Sequence, residues 1–390
     1  MSAIPPANRV PLPEPGIYTH ADTLALGLVD GVRIGEGGVS GLDRLADGRL
    51  VGVTDRGPNL DAETLAGRPA KRFPVPGYRP SLVALSASDG ELHVVSRTPI
   101  LGPAGPVSGR PPRASGDALV ETALGPDGEA LAADPWGLDA EGVADAGDGT
   151  VWVSEEYRPS IWRVDRASGR VVERFVPVVE VPFDRPLPAV VQLRGANLGF
   201  EGVAVVRTPR GPRVVAALQG PLRPPGADPA TPVARLLVLD PESGTSETLA
   251  YALDGPLRKV GDVAALPDGR LLMIEHGPLP GRSWGASVYA LDLATGRPVD
   301  DAAVPPESFA TADAARAAGV ALLGKRLVVD LVTAGWPAGA LKPEGLVVDG
   351  RRLAVVADND YGLDAPEADG RAVATGARTF LFVLDLPEAP

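Results

Sequence analysis

Residues 141–157 read Glu-Gly-Val-Ala-Asp-Ala-Gly-Asp-Gly-Thr-Val-Trp-Val-Ser-Glu-Glu-Tyr. Two short apolar runs flank the Gly-Asp-Gly turn at 147–149, and a polar cluster follows the second run. Asp-Gly between apolar runs is the strongest short-range signal for a β-hairpin, because these residues tolerate the positive φ angles of a tight turn. The stretch therefore predicts two antiparallel strands that end near Glu155 and Glu156.

The same layout recurs four more times, at residues 39–56, 201–219, 261–276 and 344–360. Each copy has a small or acidic residue beside a glycine, an apolar run, a turn, a second apolar run and a polar end. The two polar positions are 14 or 15 residues apart in four copies and 18 apart in the third. Further apolar runs follow each copy. Self-similarity of this kind indicates a repeat architecture with one β-unit per copy.

Antiparallel units of four strands repeated radially are typical of a β-propeller. We predict an all-β chain that forms a single closed β-propeller of five blades, with six as the alternative if residues 325–331 belong to a degenerate blade. Residues 23–29 would supply the missing fourth strand of the last blade, and this closure would remove an exposed sheet edge. The predicted propeller domain spans residues 20–386 after an N-terminal extension of residues 1–19, with a loop insertion at 101–136 and a short helix at 306–319.

The composition limits the partners and the compartment. A net charge of −13 argues against binding to nucleic acid and to anionic membranes, which basic surfaces bind. The absence of Cys excludes disulfides and thiolate metal sites. No apolar run approaches the roughly 18 residues of a membrane-spanning helix, and residues 1–16 lack the apolar core of a signal peptide. We expect a monomer without membrane insertion, periplasmic or secreted if a signal peptide was removed and otherwise cytoplasmic.

Acidic residues recur in register at the strand ends of the five units. The first strand of each propeller blade lines the central channel, so these residues would meet at one channel mouth. A ring of carboxylates cannot ionise fully without a cation among them. Oxygen ligands favour Ca²⁺, with Mg²⁺ as the alternative, over softer metals. We predict metal ligands at Asp55, Glu141, Glu155, Glu201, Asp262, Glu275, Glu344 and Asp358; the structural alternative is that these acids cap turns.

Cationic residues are interleaved with the acids, which favours a small anionic substrate held by a metal together with Arg and Lys. Local ion pairs that only neutralise the ring are the alternative. We predict substrate contacts from Arg56, Arg158, Lys325, Lys342, Tyr157 and Asn359. The predicted catalytic groups are Glu156 or Asp360 as general base, together with His276.

Six short motifs, in order, resemble those of the bacterial phytase-like family, which is described by an esterase-like activity of phytase. They are Gly41-Leu42-Asp43 with Thr54-Asp55-Arg56-Gly57, Glu141-Gly142 with Ser154-Glu155-Glu156-Tyr157, Phe200-Glu201-Gly202, Gly261-Asp262, Pro343-Glu344-Gly345 and Asp358-Asn359-Asp360. The resemblance spans residues 20–386 and implies a propeller and a hydrolase of ester or phosphoester bonds, often exported.

We therefore predict a metal-dependent hydrolase of phosphoester or ester bonds that acts at the channel mouth. A non-enzymatic ligand- or protein-binding propeller with a structural Ca²⁺ and a lactonase-like Ca²⁺ propeller enzyme are alternatives, because propellers support many functions. A serine esterase is a further alternative, since Gly281-Arg282-Ser283-Trp284-Gly285 fits the G-x-S-x-G nucleophile elbow. That elbow requires a strand, a tight turn and a helix, whereas this segment lies between two predicted strands.

Overall fold

The computed structural model describes residues 9–21, 24–65, 67–112, 119–279, 281–337, 341–367 and 371–390. Across these residues the chain is all-β, as predicted. Their one α-helix is Ala312–Ala317, and their 3₁₀ turns are Ala189–Leu193, Leu293–Thr295, Pro306–Ser308 and Asp360–Gly362. Within the same residues, no helix is long and apolar enough to cross a membrane.

Five mainly antiparallel units contain most of the strands, and each begins with a strand that we call the inner strand. The inner strands are Val39–Arg44, Ala140–Asp145, Phe200–Thr208, Lys259–Ala265 and Lys342–Asp349. The second strands, which pair with them, are Leu50–Thr54, Thr150–Glu155, Gly211–Leu218, Leu271–Leu279 and Arg352–Asp358. The outer strands, in unit order, are Ser81–Ser88 with Glu91–Pro99; Ser160–Asp165 with Val171–Val176 and Asp184–Pro186; Val233–Leu239 with Ser246–Ala252; Arg282–Asp292 with Gly324–Asp330; and Phe380–Asp385 with Gly16–His20.

Strand pairing divides the described strands among eight sheets, the largest of which has eight strands. That sheet joins the fifth unit to the first, because Gly16–His20 pairs in parallel with Glu91–Pro99. The small sheets are formed by Leu60–Leu65, Arg68–Arg72 and Thr122–Leu124; by Ala25–Val29 and Val32–Gly35; by Leu101–Gly102 and Gly105–Pro106; and by Leu363–Asp364 and Val373–Ala374. The insertion predicted as a loop at 101–136 therefore contributes short strands.

The N-terminal strand of the fifth unit lies earlier in the chain than predicted. Gly16–His20 pairs antiparallel with Phe380–Asp385, and Tyr18 packs against the core between the first and fifth units. Ala25–Val29 pairs instead with Val32–Gly35 in a separate hairpin, so the prediction for residues 23–29 is wrong; Thr23 itself lies outside the described residues. Both runs have the composition of strands, and only their packing decides which one reaches the sheet.

The segment considered for a sixth blade belongs to the fourth unit. Gly324–Asp330 pairs antiparallel with Arg282–Asp292, with Val329 opposite Val288. It is therefore the outer strand of an existing unit, although more than thirty residues, including the α-helix, separate it from its partner in the chain.

The apolar core lies between neighbouring units. Five buried clusters each join two units: the first with the second, the second with the third, and so on until the fifth meets the first. The inner strands contact one another in the same order, and the inner strand of the fifth unit contacts that of the first. Each unit thus buries both of its faces, and the polar ends of the inner strands are held close together.

Candidate active site

A cavity of about 200 Å³ lies where the inner strands begin. It is lined by Ser40, Asp55, Arg56, Asn59, Lys71, Glu141, Glu156, Asn197, Glu201, Gln219, Lys259, His276, Lys342, Glu344, Asp358 and Asp360. A larger cavity of about 580 Å³ lies at the other ends of the inner strands and has a more apolar lining, including Val205, Leu266 and Val347. The smaller cavity is the candidate site, because acids, cations and amides from all five units converge on it.

A β-bulge near the start of each inner strand contributes one position to this site. The pairing of each inner strand with its second strand skips one residue, which is Ser40, Glu141, Glu201, Gly261 or Glu344. A bulge leaves this residue out of the hydrogen-bonded ladder and re-aims its side chain. All of these residues except Gly261 line the cavity. The bulges therefore bring together three of the predicted metal ligands.

A second row of cavity residues comes from the ends of the second strands. It consists of Asp55, Glu156, Gln219, His276 and Asp358. Successive side chains of a strand point to opposite faces, so the residue before each of these positions faces away from the cavity. Two predicted ligands, Glu155 and Glu275, occupy that preceding position and do not line the cavity. The sequence places two acids side by side at 155–156. The alternation of side chains along the strand decides that Glu156, and not Glu155, faces the cavity.

Glu155 organises the turn that follows its strand. Its carboxylate accepts hydrogen bonds from the backbone N–H groups of Tyr157 at 2.8 Å and Arg158 at 3.0 Å, and from the Ser160 hydroxyl at 2.9 Å. Arg158 pairs with Glu180 at 2.7 Å outside the cavity. The geometry therefore gives no support to the predicted metal role of Glu155 or to the predicted substrate contacts of Tyr157 and Arg158.

Glu275 belongs to a second buried cluster outside the cavity. It accepts hydrogen bonds from the Tyr251 hydroxyl and from the backbone N–H of Asp254, and its Oε2 lies 3.3 Å from Nε of Arg258. Lys325 lies between two acids, with its Nζ 2.7 Å from Glu275 and 2.5 Å from Asp254. Both Glu275 and Lys325 are thus satisfied by their neighbours, and neither reaches the candidate site.

Asp262 is displaced by one residue from the bulged positions that line the cavity in the other units. In the fourth unit Gly261 is the bulged residue, and Asp262 occupies the position that glycine takes in the other four units. Its carboxylate accepts hydrogen bonds from the backbone N–H of Val263 at 2.7 Å and from that of Leu346, in the next inner strand, at 2.9 Å. Asp262 therefore joins two inner strands and does not line the cavity.

Replacing Asp262 with Ala should destabilise the fold without changing metal binding. The change leaves the buried Leu346 N–H without its acceptor, which costs roughly 1–3 kcal/mol. We expect a lower midpoint of urea unfolding and an unchanged Kd for Ca²⁺ measured by isothermal titration calorimetry. A large loss of Ca²⁺ affinity at unchanged stability would contradict this assignment and restore the metal role of Asp262.

The turn that follows Arg352–Asp358, the second strand of the fifth unit, has an unusual backbone conformation. Asp360 and Tyr361 both have positive φ angles, 45° and 57°, which non-glycine residues rarely adopt. The Tyr361 hydroxyl donates to Oδ1 of Asp55 at 2.7 Å, and Asn359 accepts from the backbone N–H of Gly38 at 3.1 Å. Asn359 therefore fixes the turn from outside the cavity, where the sequence predicted a substrate contact, while Asp360 lies at the cavity wall.

Three buried carboxylates could hold a metal ion. One oxygen from each of Asp139, Glu141 and Glu156 lies within 4.8 Å of the others. Oε1 of Glu156 has no hydrogen-bond partner among the described residues. Asp139 is not among the ligands predicted from the sequence, because its position before the inner strand is not acidic in the other units and so gives no repeat signal.

Crowding of acids disfavours full ionisation of the cavity carboxylates. Burial, followed by the charge of Asp139, raises the pKa of Asp55 and the pKa of Glu156 to about 8 each. Burial and the same neighbour raise the pKa of Glu141 well above its usual value. Burial and the charge of Glu156 do the same to the pKa of Glu201. A divalent cation would favour the ionised forms of these groups.

Arg56 is fixed beside this group of buried carboxylates. One terminal guanidinium nitrogen lies 3.1 Å from Asp139, 3.0 Å from Glu121 and 2.9 Å from the Asn197 side-chain oxygen. Its guanidinium carbon lies 5.6 Å from the centre of the Tyr157 ring. The predicted Arg56 thus lines the cavity, whereas Glu121 and Asn197, which position it, gave no signal in the sequence.

Lys259 and His276 face each other across the fourth unit and line the same cavity. Lys259 forms no ion pair with a described residue, and sequence analysis did not select it. Burial, followed by the charges of Lys342 and Lys259, lowers the pKa of His276 to about 3. His276 is therefore neutral near pH 7, and its buried Nε2, which lacks a partner among the described residues, can contact a ligand only as an uncharged group.

A match over most of the sequence shows which protein family this chain belongs to. The Phytase-like family, described as esterase-like activity of phytase, matches residues 34–361, which is most of the sequence. The chain belongs to the Phytase-like family. This confirms the resemblance seen in the motifs, and the family description indicates a hydrolase-type enzyme.

Solved structures resemble this Phytase-like protein over most of their length, but at low identity. The PQQ-bound aldose sugar dehydrogenase from Streptomyces coelicolor is 13% identical, with 96% of this chain and 100% of that chain covered and a TM-score of 0.32. Virginiamycin B lyase from Staphylococcus aureus is 10% identical, with 95% and 99% covered and a TM-score of 0.33. Hydrazine synthase from Kuenenia stuttgartiensis is 13% identical, with 83% and 77% covered and a TM-score of 0.38. No curated protein matches the sequence.

The G-x-S-x-G segment of this Phytase-like protein lacks the structure of a nucleophile elbow. Ser283 lies inside the strand Arg282–Asp292 and is exposed. The elbow instead places its serine at a sharp turn between a strand and a helix. The described residues around Ser283 therefore provide no support for the serine-esterase alternative.

Proposed function

We propose that this protein is a metal-dependent hydrolase that cleaves a phosphoester or ester bond of a small anionic substrate in the 200 Å³ cavity. The observation that carries the proposal is the carboxylate trio Asp139, Glu141 and Glu156, because Glu141 and Glu156 line that cavity together with the cations Arg56 and Lys259. Membership of the Phytase-like family supports hydrolase chemistry in general. The charges support an anionic substrate.

The carboxylate trio suits Ca²⁺, with Mg²⁺ as the alternative. All of its donors are oxygen atoms, which these hard cations prefer. A cation held by Asp139, Glu141 and Glu156 would also satisfy Oε1 of Glu156, which has no hydrogen-bond partner among the described residues. When bound, the ion would supply Lewis-acid polarisation of the substrate oxygen and lower the pKa of a water.

The chain's own residues would orient the substrate and move one proton. Lys259, which forms no ion pair with a described residue, and the fixed guanidinium of Arg56 would bind the anionic oxygens. Asp360 would accept the proton of the attacking water. Although burial raises the pKa of Asp360, the charge of Lys342 lowers it below the usual value, so this carboxylate is ionised near neutral pH.

We infer that the five units form one closed five-bladed propeller around this cavity. The cyclic order of the core clusters and of the inner-strand contacts supports this count. So does the close approach of neighbouring backbones: a Cβ atom at Gly41 would lie 2.7 Å from Cα of Gly142, and one at Gly345 would lie 2.8 Å from the backbone N of Leu42. The small sheets would then be additions to the blades.

The proposed function is tested with a substrate panel of p-nitrophenyl phosphate, bis-p-nitrophenyl phosphate, p-nitrophenyl acetate and phytate. Wild type is assayed with Ca²⁺, with Mg²⁺ and with EDTA, beside Ser283→Ala. We expect turnover that requires a divalent ion and is unchanged in Ser283→Ala. Acetate hydrolysis that survives EDTA but is lost in Ser283→Ala would contradict the proposal in favour of a serine esterase. No turnover, together with a melting temperature that falls in EDTA, would contradict it in favour of a binding propeller.

A further inference from the structure

Lys342 lies at the centre of three carboxylates on the wall of the cavity opposite the second and third units. Its Nζ is 3.0 Å from Oε1 of Glu344, 3.3 Å from Oδ1 of Asp360 and 3.5 Å from Oδ2 of Asp358. Glu344 and Asp358 are buried, with side chains only 4% and 2% exposed. The lysine side chain is itself 41% exposed, and it makes these three contacts as ion pairs.

We propose that Lys342 is a resident cation that fills a second cation site, so that the cavity takes a single divalent ion at Asp139, Glu141 and Glu156. The location of that single ion rests on the proposed function, but the role of Lys342 does not. The ammonium supplies the positive charge that its three acids require. The role inferred for Lys342 is electrostatic, and its substrate contact stays a prediction.

The backbone fixes this arrangement. Lys342 and Asp358 are directly opposite each other in the ladder between the inner and second strands. Glu344 is the bulged residue of the same inner strand, so it shares the cavity side with Lys342. Asp360 is tied to Asp358 by the hydrogen bond that its backbone N–H donates to Oδ1 of Asp358 at 3.1 Å. The three acids would thus remain in place if the ammonium were removed.

The charge balance predicts what happens on removal of the ammonium. Burial lowers the pKa of Lys342, but Glu344, Asp360 and Asp358 outweigh it and raise that pKa, which keeps the lysine charged. Without the lysine, three neighbouring carboxylates have no resident cation. Their oxygens are the ligands that Ca²⁺ prefers, and a divalent ion neutralises them better than one ammonium group does. Lys342→Met should therefore create a Ca²⁺ site.

Lys259 is a matched control within the same fold. It occupies the equivalent position of the fourth unit, where it is opposite His276 in the ladder, and the bulged residue there is Gly261. Lys259 therefore lacks counterparts of Asp358 and Glu344, the two acids that the strand pairing places beside Lys342. It also forms no ion pair with a described residue. Lys259→Met removes the same charge from the same cavity, but it leaves behind no described acid that was in ion-pair contact with the removed ammonium.

The test is Ca²⁺ stoichiometry by isothermal titration calorimetry, with melting temperatures in EDTA and in Ca²⁺. We expect one ion for wild type, Lys259→Met and Lys342→Arg, and two ions for Lys342→Met. The double variant Lys342→Met/Glu344→Gln should return to one ion. We also expect Lys342→Met to melt at a lower temperature than wild type in EDTA and to recover in Ca²⁺.

The outcomes separate this inference from the proposed function. One ion for both wild type and Lys342→Met, with no difference in the Ca²⁺-induced melting shift, would overturn the inference and leave the proposed metal site intact. No ion for wild type and one for Lys342→Met would support the inference while contradicting the proposed metal site. If Lys342→Met is folded only in Ca²⁺, that dependence itself supports the inference, and if it stays unfolded in Ca²⁺ while Lys342→Arg folds, the inference is overturned.

Discussion

Glu156→Gln should lower metal-dependent turnover by ~100-fold or more and weaken Ca²⁺ binding at least ~10-fold, because loss of groups that only support a metal ligand already costs about 10–100-fold. Glu156 contributes one oxygen of the carboxylate trio, and its Oε1 has no other partner among the described residues. Glutamine keeps the shape of the side chain but not its charge. The measurements are kcat/KM at saturating Ca²⁺ and the Kd for Ca²⁺ by calorimetry.

The same substitution should not destabilise the metal-free protein. Burial and Asp139 make ionisation of Glu156 costly, so an uncharged amide should leave the melting temperature in EDTA equal to or above that of wild type. Glu247→Gln is the control, since Glu247 is an exposed acid on an outer strand. Full activity of Glu156→Gln would contradict the assignment. Loss of activity with a lower melting temperature in EDTA would indicate a structural role instead.

The metal-free protein should become less stable as the pH rises from about 5 to about 8. Asp55 and Glu156 have a pKa of about 8 in the folded protein, well above the usual carboxyl values. Over this interval these carboxyls bind more protons in the folded state than in the unfolded state, and they outweigh His276, whose pKa of about 3 acts in the opposite sense below about pH 7. The free energy of unfolding therefore falls as pH increases. The measurement is the melting temperature in EDTA at several pH values. Carboxyls with lowered pKa, such as Asp47, act in the opposite sense but only below about pH 4.

Calcium should stabilise the protein more strongly at high pH than at low pH, and so oppose this loss of stability. A bound cation favours the ionised carboxylates, so binding releases protons at pH 7 and becomes stronger as pH rises toward about 8. The Ca²⁺-induced increase in melting temperature should therefore be larger at pH 8 than at pH 6. The double variant Asp55→Asn/Glu156→Gln should flatten the profile in EDTA. A melting temperature in EDTA that increases between pH 5 and pH 8 would contradict the raised pKa values.

The sequence did not determine which of two adjacent acids faces the cavity. Glu155 and Glu156 are adjacent, and both are suitable ligands by residue type. The pleat turns Glu156 into the cavity and leaves Glu155 to the backbone N–H groups of its own turn. A shift of one residue likewise separates Asp262 from the bulged positions of the other units. Such shifts reverse the direction of a side chain without changing the repeat pattern.

By itself, the sequence determined the all-β class, the repeated hairpins, the family and the cavity positions Asp55, Arg56, Glu141, Glu156, Glu201, His276, Lys342, Glu344, Asp358 and Asp360. It could do so because turn residues and apolar runs are local, and because the repeats place equivalent residues in register. Only the tertiary structure decided that Asp139 lies beside Glu141 and Glu156, that Gly16–His20 pairs with the last strand and that Lys342 lies among three acids. These features depend on contacts between residues far apart in the chain, which no local pattern encodes.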